Sequence, residues 1–459
     1  MSLPSFISGV VEGFYGRPWN ARQRHQLFQW MRDWGLNTYL YAPKDDLRHR
    51  ARWRDLYDDL GSIELSALLR DCQRHGLNFV YSIGPGVSLT YHSTGDRQAL
   101  WQKVGQLIDL GVRDFALLFD DIALALPAAD TLHFNSLAAA QAVVANELLA
   151  RLRGRLPEAT LLFCPTVYCA RMANGRVRGN AYLAALGAGL DPAMPVLWTG
   201  PEIISETIPP ESIQELADEL RRPPVLWDNL FANDYDSRRL QLGPYAGRPF
   251  ATRDATGGIL VNLNCEFEAN YVPLHTFHQF LGARDEWNPR AACQAAWEEW
   301  RRRWTINRTP AFAPEELELF ADCHYLPHAT GDRASQWVAD REFLLAHPPA
   351  EWGEVVTRFE KDCDALLALF EKAAALDNRE LLHSLYKCMW DLKETAILLR
   401  QYVAWLAGDP PAGESFVSPD FRPGTFRGGI LQRLERILPS DEQARFLPPA
   451  RLRSPGAKT

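Results

Sequence analysis

Eight short apolar runs recur through the first 286 residues, at 8–13, 38–42, 78–83, 114–122, 160–165, 196–199, 225–228 and 259–262. Most are followed by a segment whose apolar residues have helical spacing: 22–34, 64–75, 98–110, 137–152, 212–220 and 274–281. Runs this short and this apolar do not read as surface helices. They read as strands buried on both faces, as parallel strands are. Eight strands alternating with helices over this length predict a (β/α)8 barrel of the TIM type. A doubly wound open sheet is the alternative, but no Gly-x-Gly-x-x-Gly follows the first run.

One run constrains function as well. Phe115 to Phe119 is apolar and ends in Asp120-Asp121-Ile122. In a parallel barrel the carboxyl ends of the strands carry the chemistry. Adjacent acids cost electrostatic energy there, a cost kept mainly where the two have separate work. Asp pairs also occur at helix N-caps and solvated turns, so this stretch alone does not decide. The other strand ends add weight. They lead into Glu12-Gly13-Phe14-Tyr15, Pro43-Lys44-Asp45-Asp46, Tyr168, Trp198-Thr199, Trp227-Asp228-Asn229 and Asn262-Leu263-Asn264. Polar and aromatic groups converge on one rim, which a barrel has no structural need for.

Past residue 286 the texture changes. Segments 291–304, 315–325, 334–346, 352–375 and 381–406 have helical spacing, and no strand candidate interrupts them. The expected domains are a catalytic barrel over 1–286, a C-terminal helical bundle over 287–447 and a frayed tail over 448–459. Residues 430–438 read as one more helix, and 408–424, rich in Pro and Gly, as a loop. A net charge of −8 gives no sign of a nucleic-acid binder. No stretch approaches a membrane span. The start shows no basic n-region or apolar h-region, and the 8 cysteines are scattered, so a cytoplasmic protein with free thiols is expected. Asn307-Arg308-Thr309 fits a glycosylation sequon, taken here as chance.

The rim holds acids, amides, Tyr, Trp and one Lys. Asn and Asp read sugar hydroxyls, and Trp offers a flat apolar face. No His-x-x-x-His or calcium-loop pattern is present, so no metal and no cofactor are expected. Asp234-Tyr235-Asp236 is a minor candidate for a hard cation. His275 and His278 read as ordinary helix residues. A Gly-x-Ser-x-Gly elbow is missing. Glycoside chemistry on carboxylates remains.

The rim segments also carry a resemblance. Gly9-Val10-Val11-Glu12-Gly13-Phe14-Tyr15-Gly16-Arg17-Pro18-Trp19, Asn37 to Asp46, Phe115 to Ile122, Cys164-Pro165-Thr166 with Tyr168, Leu197 to Pro201, Trp227-Asp228-Asn229, Ala232 to Asp236 and Asn264 to Tyr271 follow in order. This set resembles the O-GlcNAcase family of retaining β-N-acetylglucosaminidases, glycoside hydrolase family 84. The resemblance implies substrate-assisted catalysis, in which the substrate's 2-acetamido oxygen is the nucleophile and closes to an oxazoline. It implies Asp120 as the group that holds and polarises the acetamido N–H, and Asp121 as the general acid and then base. Tyr168 is expected at the acetamido group or forming oxazoline. Asn229 is expected to steady Asp120, and Trp227 to wall the acetamido pocket. Asp234, with Asn262 beside it, is expected to accept the outer hydroxyls. Gly13, by its carbonyl, and Lys44 are expected at the 3-hydroxyl. Phe231, Val167 and Leu263 depart from the family pattern on the side of the leaving group.

The implied activity is removal of O-linked N-acetylglucosamine from Ser or Thr of proteins, with a glycoprotein or glycopeptide as the partner. Two alternatives stay open: a hexosaminidase acting on oligosaccharides or hyaluronan, and a non-catalytic sugar-binding barrel. The resemblance also leaves room for a homodimer through the helical region.

Overall fold

The computed structural model describes residues 3–411 and 415–421. The chain order is β1 (Ile7–Glu12), α1 (Ala21–Asp33), β2 (Thr38–Tyr41), α2 (Asp59–Arg74), β3 (Asn78–Ile83), α3 (Thr94–Asp109), β4 (Asp114–Leu118) and α4 (Leu137–Arg155). It continues through β5 (Leu161–Cys164), α5 (Ala181–Gly189), β6 (Leu197–Trp198), α6 (Pro210–Leu220), β7 (Val225–Asp228), α7 (Phe250–Asp254), β8 (Gly258–Asn262) and α8 (Tyr271–Gly282). Each strand is thus followed by a helix. The strands pair in parallel in the order β5-β4-β3-β2-β1-β8-β7-β6. A parallel bridge between Phe163 and Val196, with the Phe163 N–H donating to the Pro195 carbonyl at 2.8 Å, joins the two ends. This is a (β/α)8 barrel. Capping side chains start the helices where the sequence turns polar: Asn20 before α1, Asp58 before α2, Ser93 before α3 and Ser136 before α4 each accept a first-turn N–H.

The runs are apolar throughout because each strand has two buried faces. Alternate residues sort into two clusters. Val11, Leu40, Val80, Ala116, Leu118, Leu162, Val225, Trp227 and Leu260 pack together with almost no helix residues, which makes them the barrel interior. Val10, Tyr39, Phe79, Tyr81, Phe115, Leu117, Phe163 and Val261 pack with Leu27, Phe28, Leu65 and Leu149 of the helices. Aliphatic groups, with the Trp227 indole, therefore fill the centre, and rings such as Tyr39, Phe79 and Phe115 lie in the outer layer. This two-residue alternation decides which strand-end side chain can face a site at the barrel mouth.

The helices α5 and α7 were not foreseen. The sequence of α5, Ala-Tyr-Leu-Ala-Ala-Leu-Gly-Ala-Gly, is nearly all small or apolar and shows no helical stripe, and α7 spans 5 residues. Further on come α9 (Pro289–Arg301), α10 (Pro314–Cys323), α11 (Asp332–Ala346), α12 (Glu354–Ala374) and α13 (Arg379–Ala407). The expectation that no strand interrupts this region is corrected by a small hairpin, β9 (Thr305–Ile306) with β10 (Thr309–Pro310). Its turn is Asn307-Arg308, with φ of 51° and 64°, the left-handed pair that tight hairpins use. Asp377 caps it, accepting N–H groups from Asn307 at 3.0 Å and Arg308 at 2.8 Å. Two-residue strands carry no readable period, so the hairpin was invisible in the sequence.

The chain divides into two compact units. One comprises the residues up to Ser335 together with Ala373–Tyr386. The other comprises Gln336–Lys372 and the described residues from Lys387 on. The helix expected over 430–438 and the tail over 448–459 lie outside the described residues.

Candidate active site

A cavity of about 620 Å³ opens at the carboxyl ends of the strands. Gly13, Lys44, Asp120, Asp121 and Tyr168 line it, as do Trp227, Asn229, Asp234 and Asn262. Every residue singled out from the sequence as a candidate site residue is therefore in one place. Strand alternation explains most of the convergence. Asp120 continues the inward series Ala116-Leu118, and Asn229 continues Val225-Trp227. Asn262 follows Leu260, and Gly13 follows Val11 in the same way.

Asp121 is out of phase with that series and would face the helices on an extended backbone. Its φ is 51°, a left-handed conformation uncommon for any residue but glycine. The turn carries its side chain back to the cavity. There Oδ1 accepts the Tyr168 hydroxyl at 2.8 Å, and Oδ2 lies 3.4 Å from the Tyr15 hydroxyl. Burial and the Asp121 carboxylate both push the Tyr168 phenol up, so it remains a donor.

Asp120 is wired differently. Lys44 Nζ donates to its Oδ2 at 2.7 Å, and Arg50 Nη1 to its Oδ1 at 3.3 Å. Burial alone would push this carboxyl up, but the Lys44 and Arg50 cations outweigh it and hold it down at about 2. His49 lies beside them, pushed down to about 4 by burial and by Lys44. Its Nδ1 lies 2.8 Å from the Ser82 carbonyl. Adjacent carboxylates in one cavity thus have distinct surroundings: two cations for Asp120, two phenols for Asp121.

An amide network lines the opposite wall. Trp227 Nε1 donates to Asn229 Oδ1 at 3.0 Å, and Asn262 Nδ2 donates to the same oxygen at 2.9 Å. The Asn229 amide donates to the Ile203 carbonyl at 2.9 Å. Asn262 Oδ1 is buried and has no protein partner. Asp234 Oδ2 accepts the Tyr15 backbone N–H at 2.8 Å, which ties the loop after β1 to the loop after β7. Gly13 is where it is for a steric reason. A Cβ there would sit 2.3 Å from Trp227 Cζ2, so only a glycine leaves room for the indole at that backbone.

One contact differs from expectation, and one adds to it. Asn229 was expected to steady Asp120, but its amide is spent on Trp227, Asn262 and Ile203, and Lys44 and Arg50 hold Asp120 instead. Lys44, expected at the 3-hydroxyl of the sugar, also lines the cavity, and its Nζ is bound to Asp120. Arg50, Tyr15 and the charged pair Arg171–Glu202 at the mouth were not singled out from the sequence. Arg50 carried no signal there, since arginines are common in loops and its role depends on how residues 43–50 fold back.

His275 stacks on Tyr271 with centroids 5.8 Å apart and meets Trp34 edge-on, as an ordinary packed side chain does. Asp236 is engaged by Arg238 at 2.8 Å. Among the described residues, the one grouping spaced to hold a metal is His25, Asp71 and His75, which does not line the cavity.

A family model described as beta-N-acetylglucosaminidase matches residues 8–314. The chain is 28% identical to the protein O-GlcNAcases of Rattus norvegicus and of Mus musculus, with 95% of this chain and 70% of each relative covered. It is also similar to the solved structure of a mutant Thermobaculum terrenum O-GlcNAc hydrolase. The TM-score is 0.76 at 26% identity, covering 87% of this chain and 84% of that one. The barrel, the nine converging residues and the family match over most of the barrel lead to one assignment: the chain belongs to the β-N-acetylglucosaminidase family of glycoside hydrolases.

Proposed function

We propose that this enzyme is a retaining exo-β-N-acetylglucosaminidase that removes O-linked N-acetylglucosamine from Ser and Thr of proteins. The observation that carries the reading is the adjacent, differently wired pair Asp120 and Asp121 in one cavity. At neutral pH Asp120 is a carboxylate, since its cations hold it near 2. A carboxylate accepts the acetamido N–H and makes the amide oxygen more nucleophilic. That oxygen attacks C1, the bond from C1 to the leaving oxygen breaks, and Asp121 passes its proton to the leaving group. An oxazoline results. Asp121 then takes a proton from water, whose oxygen attacks C1 on the face opposite the oxazoline oxygen. The C1–oxygen bond of the oxazoline breaks, the acetamido group is regenerated with its N–H on Asp120, and the β configuration is restored. Two displacements give retention without an enzyme nucleophile, an exception to the usual two-carboxylate scheme.

Trp227 offers an apolar wall for the acetamido methyl. The lone acceptor Asn262 Oδ1 and the carboxylate of Asp234 suit sugar hydroxyls. The rat and mouse relatives, protein O-GlcNAcases, support a protein-borne substrate, and the bacterial one, an O-GlcNAc hydrolase, supports the same sugar. The buried thiols of Cys72, Cys164, Cys169, Cys293 and Cys363 suit a reducing, cytoplasmic setting; no described helix is long and apolar enough to cross a membrane. The helices beyond residue 286 stand in the same proposal as a non-catalytic region, supported by a cavity lining that ends at Asn262.

The test is an aryl N-acetylglucosaminide series with stepwise fluorination of the acetamido methyl. Turnover is expected, falling with each fluorine, with the β-anomer as first product. A flat series with an inverted product would point to direct attack by water, and no turnover to a sugar-binding barrel. Rates on a glycosylated protein, hyaluronan fragments and chitobiose then rank the substrates, with the protein expected first.

A further inference from the structure

The turn at Asp120-Asp121 has to be held. Its second residue sits at φ 51°, in a region that strains a residue with a Cβ and persists only where surroundings over-determine it. The β4 ladder cannot do this. Its last backbone bond is the Phe119 N–H to the Cys164 carbonyl at 2.9 Å, one residue before the acids. The carbonyls of Asp120 and Asp121 lie beyond the sheet. One side chain reaches both: Arg50 Nη2 donates to the Asp120 carbonyl at 3.1 Å and to the Asp121 carbonyl at 3.2 Å. Its Nη1 reaches Asp120 Oδ1 at 3.3 Å.

We propose that Arg50 is the positioning residue of this site, a fork that fixes the Asp120-Asp121 turn by holding both backbone carbonyls and one carboxylate oxygen. The inference rests on the reading of these acids as the reacting pair. Lys44 cannot substitute for it, because an ammonium on Asp120 Oδ2 leaves both carbonyls free. The planar guanidinium matches three acceptors at once, which a Lys at this position would not. The fork is itself anchored. Its side chain is 10% exposed, and the neighbouring His49 is fastened to the end of β3 by the Gly84 N–H on its carbonyl at 2.9 Å and by its Nδ1 at the Ser82 carbonyl. Arg50 touches no substrate in this scheme. It sets where Asp120 meets the acetamido N–H and where Asp121 meets the leaving oxygen.

The experiment compares kcat and its pH profile on an activated aryl N-acetylglucosaminide for wild type, Arg50→Lys, Arg50→Gln and Arg50→Ala. The groups facing Asp120 are Lys44, His49 and Arg50 on the loop, Asp121 beside it, Tyr15, Cys164 at the end of β5 and Tyr168 beyond it. Arg50→Gln removes a cation as well as the fork. Its kcat is expected to fall about 10²-fold, the scale of a misplaced reacting group, and its acid limb to move to higher pH. Arg50→Lys keeps the charge and loses the fork, so its kcat falls with the acid limb in place. Added guanidinium ion is expected to restore part of the Arg50→Ala rate. A merely structural role would lower the amount of active enzyme without moving the limb and without rescue, and that result overturns the proposal. Should Arg50→Gln and Arg50→Ala fail to fold, wild-type kcat in Arg50→Lys overturns it. Asp120→Asn and Asp121→Asn are run alongside. If they keep activity, the active-site reading fails as a whole. If they lose it while the Arg50 variants do not, only this inference falls.

Discussion

Asp120 after β4 and Asp228 at the end of β7 both lie at the carboxyl ends of barrel strands and face opposite ways. Asp228 belongs to the outward series with Leu226, and its side chain is fully buried. Arg248 grips it from Nε at 2.8 Å and Nη2 at 2.7 Å, the Tyr245 hydroxyl donates at 2.8 Å and the Leu230 N–H at 3.1 Å. Nothing is left to meet a ligand. Glu12, outward at the end of β1, is likewise closed by Arg24, the Trp19 N–H and Tyr39. Asp120 also has cations, but it opens on the cavity. The same residue type near the carboxyl end of a strand is a rivet on one face and lines the cavity on the other, and a shift of one residue decides which.

The widest separation is expected in rate. In the proposed mechanism, Asp121→Ala removes the proton donor and Asp120→Ala removes the group that polarises the nucleophile. General acid–base assistance is worth about 10²–10⁴-fold. The Asp121→Ala rate is expected to depend steeply on leaving-group pKa, with dinitrophenyl substrates surviving best and azide relieving the second step. The Asp120→Ala line is expected to run lower and near-parallel to wild type, with no help from azide. Exchanged patterns would swap the two roles.

The outward acid is expected to show the reverse balance. Asp228→Asn or Arg248→Met breaks a buried ion pair and leaves its partner uncompensated, at a cost of about 3–5 kcal/mol. Chemical unfolding measures this. The kcat of the folded fraction should stay near wild type, since Asp228 reaches no cavity atom. A large loss of kcat with intact stability would erase the distinction between the two faces.

These faces also mark what the sequence can and cannot convey. The strands were legible because runs such as Phe115 to Phe119 are apolar on both sides, and for that same reason the alternation was not. Trp227-Asp228-Asn229 presents an acid between two site residues, and only the packed structure shows that the acid points away. Residue types at the rim were readable, and the resemblance picked the right ones to converge. Their partners were not, because Lys44 and Arg50 meet Asp120 through a loop whose fold depends on contacts with β3. In α5 and the hairpin at Thr305 the local pattern carries too little contrast to read.

A third prediction separates the faces by pH. His49, on the loop that clamps Asp120, is fully buried and lowered to about 4, while an unfolded His titrates near 6.5. Between those values the unfolded chain binds a proton that the native chain does not, so stability falls as pH drops from about 6.5 to about 4. The contribution is about 2–3 kcal/mol by pH 4.5. Unfolding free energies of wild type and His49→Gln at pH 7 and 4.5 test this. The variant is expected to lose less on acidification, and equal slopes would remove His49 as the cause.

The smallest effect is expected at Gly13, and it tests the inward face without touching charge. A Cβ at this position would lie 2.3 Å from Trp227 Cζ2 and 2.8 Å from Cη2. The strand backbone is fixed by its ladder to β2 and β8, so the indole has to give way. Trp227 Nε1 is one of two donors on Asn229 Oδ1, and a tilted ring weakens that bond and the wall of the proposed acetamido pocket together. Overpacking of this kind costs about 1–3 kcal/mol. Gly13→Ala is therefore expected to raise KM about 10-fold with a smaller change in kcat, because the acids themselves do not move. Trp227→Leu should raise KM by itself, and the double variant should cost less than the sum of the two, since the added methyl no longer meets a ring. Additive losses would mean that Gly13 acts through its carbonyl on the sugar and not by making room for the indole.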